Sequence, residues 1–134
     1  MTPTARSLAH LRKGAIAQVV ERYNPHAKRR VDLFGFIDIV ALDQGPGVLG
    51  VQTTTTDHIS HRLAKLRDEC APQMECWLNR GNRIVIHGWA KRGPRGKRKL
   101  WTLTERAIGY DDLRPAEVVK TCQDMVTNSA PSEG

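Results

Sequence analysis

Residues 28–56, KRRVDLFGFIDIVALDQGPGVLGVQTTTT, decide how the rest of the chain is arranged. They hold the longest apolar run in the sequence, with one carboxylate, Asp38, in its middle. Leu33 to Leu42 reads as a strand. By period two, Phe34, Phe36, Asp38, Val40 and Leu42 share one face, and Leu33, Ile37, Ile39 and Ala41 share the other. Both faces are mostly apolar, as in a central strand covered on both sides. Asp43 to Gly47 (DQGPG) is turn chemistry. Val48 to about Thr55 reads as a second strand, antiparallel to the first through this short connection. Gln52 and Thr54 lie on one of its faces; Leu49, Val51 and Thr53 lie on the other. A charge inside a strand costs free energy unless it has a partner. Asp38 is therefore the centre of a cation site, or a buried carboxylate satisfied by backbone donors or by an arginine such as Arg30.

On the N-terminal side, residues 1–4 read as frayed. Leu8, Leu11, Ala15, Val19 and Tyr23 recur at steps of three and four, which predicts a helix from Ala5 to about Tyr23. Gly14 interrupts it, and Asn24-Pro25 ends it. Residues 26–32 form a basic approach to the first strand. On the C-terminal side, Asp57 is a candidate N-cap for a helix from His58 to about Cys70 with a core stripe of Ile59, Leu63, Leu66 and Cys70. Pro72 then separates a shorter helix, 73–80. Strands follow at Arg83–Ala90 (RIVIHGWA) and Lys99–Thr104 (KLWTLT), joined by the hairpin tip KRGPRGKRK. A short helix is expected at 115–125 and a disordered tail at 126–134. There is no internal repeat and no linker, so residues 1–125 read as one domain. The order is helix, strand, strand, helix, short helix, strand, strand. It predicts an α/β fold with a mixed central sheet flanked by helices.

The chain has 134 residues, 40 % apolar and 26 % charged, as expected of an ordinary globular domain. No apolar run approaches the ~20 residues of a membrane-spanning helix, and MTPTARSLAHLRKG lacks the apolar centre of a secretory signal. The three cysteines, Cys70, Cys76 and Cys122, include no C-x-x-C pair and no common zinc spacing. That usage suits a reducing compartment, so the cytoplasm is the expected location and no membrane partner is expected. The net charge of +7 is focused in two clusters: Lys28, Arg29 and Arg30, and then Lys91, Arg92, Arg95, Lys97, Arg98 and Lys99. Focused clusters favour a polyanionic partner over charge kept for solubility. Six cations in the nine residues of the hairpin tip suit an arm lying across phosphates. His87, in an apolar strand, reads as a core histidine. Trp77, Trp89 and Trp101 read as core and sheet-packing residues.

Asp38 and Gln52 come from neighbouring strands and can reach one point. Mg²⁺ or Mn²⁺ takes hard oxygen ligands and keeps several waters. The Asp38 carboxylate, the Gln52 amide oxygen and a strand carbonyl, that of Thr53, would supply three ligands. Such an ion polarises a phosphoryl oxygen and lowers the pKa of bound water. His58 and His61, in the first turn of the next helix, are within reach of a backbone phosphate or of a proton-relay role.

The arrangement resembles the PD-(D/E)XK nuclease superfamily, which includes Holliday junction resolvases and many restriction enzymes. Its mark is an Asp in one strand, a hairpin, then an acid-x-Lys triplet in the next strand, between two helices. The matching residues are Asp38 in GFIDIVAL and Gln52-Thr53-Thr54 in LGVQTTTT. The segment KGAIAQVVE resembles the first helix of archaeal-type resolvases, where a glutamate completes the metal site. Glu21 is the acid available there, and Gln18 the nearer match by its spacing from Gly14. The resemblance covers roughly residues 8–104. It implies a restriction endonuclease-like core and a metal-dependent endonuclease acting on DNA, including branched or structured DNA, and working as a homodimer where both strands are cut. Gln52 stands where an acid is expected and Thr54 where a lysine is expected. The resemblance therefore implies Asp38, Gln52 and Glu21 as the metal-holding set, the second carboxylate coming from Glu21 or Asp32, with Lys65 supplying the cation from the following helix. The competing expectation is a nuclease-like fold kept for DNA binding without cleavage.

Overall fold

The computed structural model describes residues 1–113, so the expected helix at 115–125 and the tail at 126–134 lie outside the described residues. The first element is helix α1 (Pro3–Leu11). Thr2 caps it by accepting the Ala5 N–H at 3.1 Å, and Pro3 opens its first turn, where a missing N–H costs nothing. The cap overturns the expectation of a frayed start. The helix expected to run on to Tyr23 stops at Leu11. After the Lys13-Gly14 turn the chain forms strand β1 (Ile16–Val19), then a hairpin of β2 (Arg22–Asn24) and β3 (Arg29–Val31) around Asn24-Pro25. The apolar steps of three and four held across this break by coincidence. The β-branched Ile16 and Val19 favour extended backbone, and β1 gains a ladder to residues 39–42 and buries Ala17.

The expected strand Leu33–Leu42 is also shorter, because only Ile39–Leu42 is strand (β4). Residues 33–37 fold into a tight turn, with Phe34 at φ 56° and Gly35 at φ 85°, and Leu33 bridges back to Ile37. Gly35 takes the left-handed conformation without a Cβ penalty. Strand β5 (Leu49–Thr55) pairs antiparallel with β4, as the sequence predicts. A single 3-10 turn, Thr56–His58, contains Asp57 and leads into helix α2 (Ile59–Asn79). Pro72 does not divide this helix. It lies on the exposed side, while Leu66, Cys70 and Met74 keep one buried stripe through it. Packing of that stripe outweighs the ~3 kcal/mol that an interior proline costs.

Strands β6 (Arg83–Arg92) and β7 (Leu100–Ile108) complete a five-stranded mixed sheet in the order β1-β4-β5-β6-β7. Strand β6 runs parallel to β5 after the crossover through α2, and β7 returns antiparallel. Helix α1 covers one face over Ala17, Ile39, Ala41, Leu49, Val51 and Val85. Helix α2 covers the other over Phe36, Ile37, Ile84 and Ile86. Among the described residues, no helix is long and apolar enough to cross a membrane.

Two glycines fix the loops at the edges of this sandwich. A Cβ on Gly88 would sit 2.5 Å from Ile59 Cδ1, so this glycine lets the start of α2 press against β6. Gly47 has φ 63°, and a Cβ there would lie 2.2 Å from the Gly81 carbonyl oxygen. Left-handed backbone costs a residue with a Cβ about 1–2 kcal/mol, and the backbone clash adds to it. Gly47→Ala should therefore lower stability by about 2–4 kcal/mol in urea unfolding. Gly14→Ala, with nothing within 4 Å of the new methyl, should stay within about 0.5 kcal/mol of wild type.

Candidate metal centre and nucleic-acid surface

The Leu33–Ile37 bridge has a chemical consequence. In an antiparallel bridge the residues just outside the pair face each other, so Asp32 is set opposite Asp38. The Val20 and Glu21 N–H groups both donate to the Asp38 carbonyl, at 2.8 and 3.3 Å. That contact brings in Glu21 from the end of β1, not from a helix as the resemblance implies. Glu21, Asp32 and Asp38 each offer a carboxylate oxygen within 4.8 Å of the others. They line a cavity of about 430 Å³ with Gln52, Thr53, Thr54, His58, Arg62 and the first turn of α1.

Asp38 is 3 % exposed. Its Oδ2 accepts from Gln52 Nε2 at 2.8 Å, from the Thr53 N–H at 2.8 Å and from Thr53 Oγ1 at 3.1 Å. Burial, then the hydrogen bond and charge of Asp32, push the Asp38 carboxyl up to about 9, and the Thr53 N–H opposes the rise. Three carboxylates this close do not all ionise without a counter-charge. Arg30 gives a peripheral one, with Nη1 3.5 Å from Glu21 Oε1, but it is largely solvent-exposed and pairs with Glu21, not Asp38. Gln52 Oε1 is buried without a hydrogen-bond partner. An unmet acceptor of this kind costs about 1–3 kcal/mol. Three hard carboxylate donors, an orphaned amide oxygen and room for water in one cavity fit Mg²⁺ or Mn²⁺.

The expected set is brought together in part. Asp38, Gln52, Thr53 and Glu21 converge. Two expected ligand atoms differ: Gln52 turns its Nε2 to Asp38, and Thr53 meets it through N–H and hydroxyl. Lys65 is exposed and lines an adjoining cleft with Arg29, Arg30 and Asp32. It lies too far along α2, and Arg62, one turn nearer the helix start, borders both cavities. The step of four from His58 to Arg62 is the sequence signal for that pairing. His58 is at the cavity rim with Nδ1 2.7 Å from Thr55 Oγ1, whereas His61 is exposed and outside the lining. Of the two acids expected as the second carboxylate, Glu21 and Asp32, both converge on Asp38. The signal for Asp32 is the near-mirror segment Asp32-Leu33-Phe34-Gly35-Phe36-Ile37-Asp38, two acids flanking a glycine turn.

The basic hairpin tip forms as expected. Residues 91–99 are exposed between the ends of β6 and β7. His87 is a core histidine, 1 % exposed, with Nδ1 2.9 Å from Ser7 Oγ, and burial pushes it down to about 4. Trp89 is buried and Trp77 half-buried, but Trp101 is 43 % exposed, so its assignment to the core is corrected. No protein-family model, curated protein or solved structure matches the chain.

Proposed function

We propose that this protein is a metal-dependent phosphodiesterase that cuts DNA, built on a PD-(D/E)XK-like core. The observation that carries the reading is the convergence of Glu21, Asp32 and Asp38 beside the orphaned Gln52 amide oxygen. The order of elements supports it: Asp38 and the Gln52-Thr53-Thr54 triplet stand on a strand hairpin between two helices. Glu21, Asp32, Asp38 and Gln52 would hold Mg²⁺ or Mn²⁺, which supplies Lewis-acid polarisation of the phosphate and a more acidic bound water. Arg62, bordering the same cavity, has the charge and the planar donors to hold a phosphate oxygen. It takes the part expected of Lys65. His58, at the rim and bonded to Thr55, can relay a proton to the leaving oxygen. The exposed cations of residues 91–99 would grip flanking backbone phosphates.

The test is incubation of wild type and Asp38→Asn with duplex, branched and single-stranded DNA, in Mg²⁺, Mn²⁺ or chelator. Metal-dependent cleavage by wild type alone is expected, with binding kept by the variant. Cleavage by wild type in chelator would refute the reading. A second reading, a nuclease-like fold that binds DNA without cutting, is favoured by Thr54 at the lysine position and by Lys65 outside the cavity. Metal-independent binding with no cleavage at any metal concentration would establish it instead. Under both, replacing Lys97, Arg98 and Lys99 with Gln should flatten the salt dependence of duplex binding. The slope of log K against log salt should fall by about 0.9 for each phosphate that is no longer neutralised, as read by anisotropy titrations across ionic strength.

A further inference from the structure

Away from the carboxylates, one surface joins an aromatic ring to uncompensated charge. Trp101 stands near the start of β7, opposite Lys91 in the β6–β7 ladder, at the base of the basic hairpin tip. The Arg6 guanidinium, from α1, lies 3.7 Å from the indole centroid, and Lys91 Nζ lies 5.4 Å from it. Among the described residues, neither Arg6 nor Lys91 forms an ion pair with a carboxylate. A tie that only pinned α1 to the sheet would gain from burying the ring, yet Trp101 stays 43 % exposed. A guanidinium stacked on an indole still offers its outer plane, and such planes stack nucleobases. A ligand that satisfies both the planes and the charges carries a π-face and a phosphate together.

We propose that the Arg6–Trp101 stack is a platform for one unpaired nucleobase, with Lys91 and the hairpin tip holding the adjoining phosphates. Helix α1 borders both places: it supplies Arg6 to the platform, and Pro3 and Thr4 to the lining of the carboxylate cavity. The substrate class is DNA with a single-stranded branch or end, whose unpaired base the platform would hold. The inference rests on the proposed function for DNA as the ligand, but not for cleavage.

The test is equilibrium binding in chelator, where no cut is made. Three probes are compared: a blunt duplex, the same duplex with a short single-stranded extension, and that extension made abasic, which keeps its phosphates. Wild type is expected to bind the base-bearing extension about 5- to 150-fold more tightly than the abasic one, the range for stacking one base. Trp101→Ala should reduce that preference to near unity and leave blunt-duplex affinity unchanged. Trp101→Phe should keep most of it, with the melting temperature of both variants confirming the fold. Equal wild-type affinity for the abasic and base-bearing extensions would overturn the proposal. So would an equal loss on all three probes in Trp101→Ala. Failure to bind any probe would overturn the proposal and the DNA reading together, whereas base-selective binding stands whether or not the protein cuts.

Discussion

Asp38→Asn should make the metal-free protein more stable while removing the proposed cleavage. Asn Oδ1 can take the place of Asp38 Oδ2 and accept from Gln52 Nε2, Thr53 N–H and Thr53 Oγ1. Its amide can donate toward Asp32 at any pH, whereas the wild-type Asp38 carboxyl can do so only while it keeps its proton. The relief is worth about 1–3 kcal/mol, the scale of a buried group left in conflict. The pH dependence has a definite sign. Burial and Asp32 raise the folded-state value of Asp38 from 3.8 to about 9, so folded Asp38 holds its proton where the unfolded chain has released it. Wild-type stability contributed by this group is fully present below about pH 4 and is lost as pH rises toward about 9. In chelator, the gap in melting temperature between Asp38→Asn and wild type should therefore widen from pH 5 to pH 8. Added Mn²⁺ should raise the melting temperature of wild type, because a ligand bound only by the folded state stabilises it, and leave that of the variant unchanged. Cleavage should fall by about 10²- to 10³-fold, the scale of removing one preorganised electrostatic interaction with a transition state. A variant that melts below wild type in chelator at pH 8 would mean that Asp38 is not under charge strain.

What the sequence makes legible divides along physical lines. The β4–β5 hairpin, the α2 core stripe, the buried His87 and the basic tip all follow from local period or composition. Three features depend on contacts between distant residues. Ile16–Val19 fits a helical period as well as a strand, and only its ladder to β4 decides between them. The segment 33–37 can bury Phe36 and Ile37 either as a strand or as a turn, and Gly35 at positive φ selects the turn, which leaves Phe34 exposed. Pro72 reads as a break until the packing of Met74 and Trp77 beyond it is counted. The same limit governs the site. Asp38 and Gln52 are legible as a pair because one short hairpin joins them. Asp32 and Glu21 reach Asp38 through the turn and the β1 edge, and on α2 it is Arg62, not Lys65, that borders the carboxylate cavity. Under the proposed reading, Asp32 would supply the charge that Gln52 does not bring.

That substitution of one acid for another predicts the behaviour of Gln52→Glu, which restores the acid of the triplet. In a site with a single carboxylate, the change would simply add a ligand. Here it puts a fourth carboxylate into a cavity that already holds three, at a position now donating to Asp38 from 2.8 Å. Without metal, the donor to Asp38 is lost and the crowded carboxyl groups must either keep a further proton or bury like charge, a conflict on the scale of about 1–3 kcal/mol. The variant should melt well below wild type in chelator. A divalent cation reverses the balance, since affinity of oxygen sites rises with ligand charge. The rise in melting temperature on adding Mn²⁺ should therefore be larger for Gln52→Glu than for wild type, and half-saturation should occur at lower metal concentration. Gln52→Leu separates charge from hydrogen bonding: it removes the orphaned Oε1 along with the bond to Asp38, and should show the smallest metal response of the three. Thermal melts across a Mn²⁺ series give all three curves in one experiment. Equal, non-zero metal responses in wild type, Gln52→Glu and Gln52→Leu would take Gln52 out of the proposed metal centre and leave Glu21, Asp32 and Asp38 to hold the ion, and no response in any of the three would overturn the centre itself.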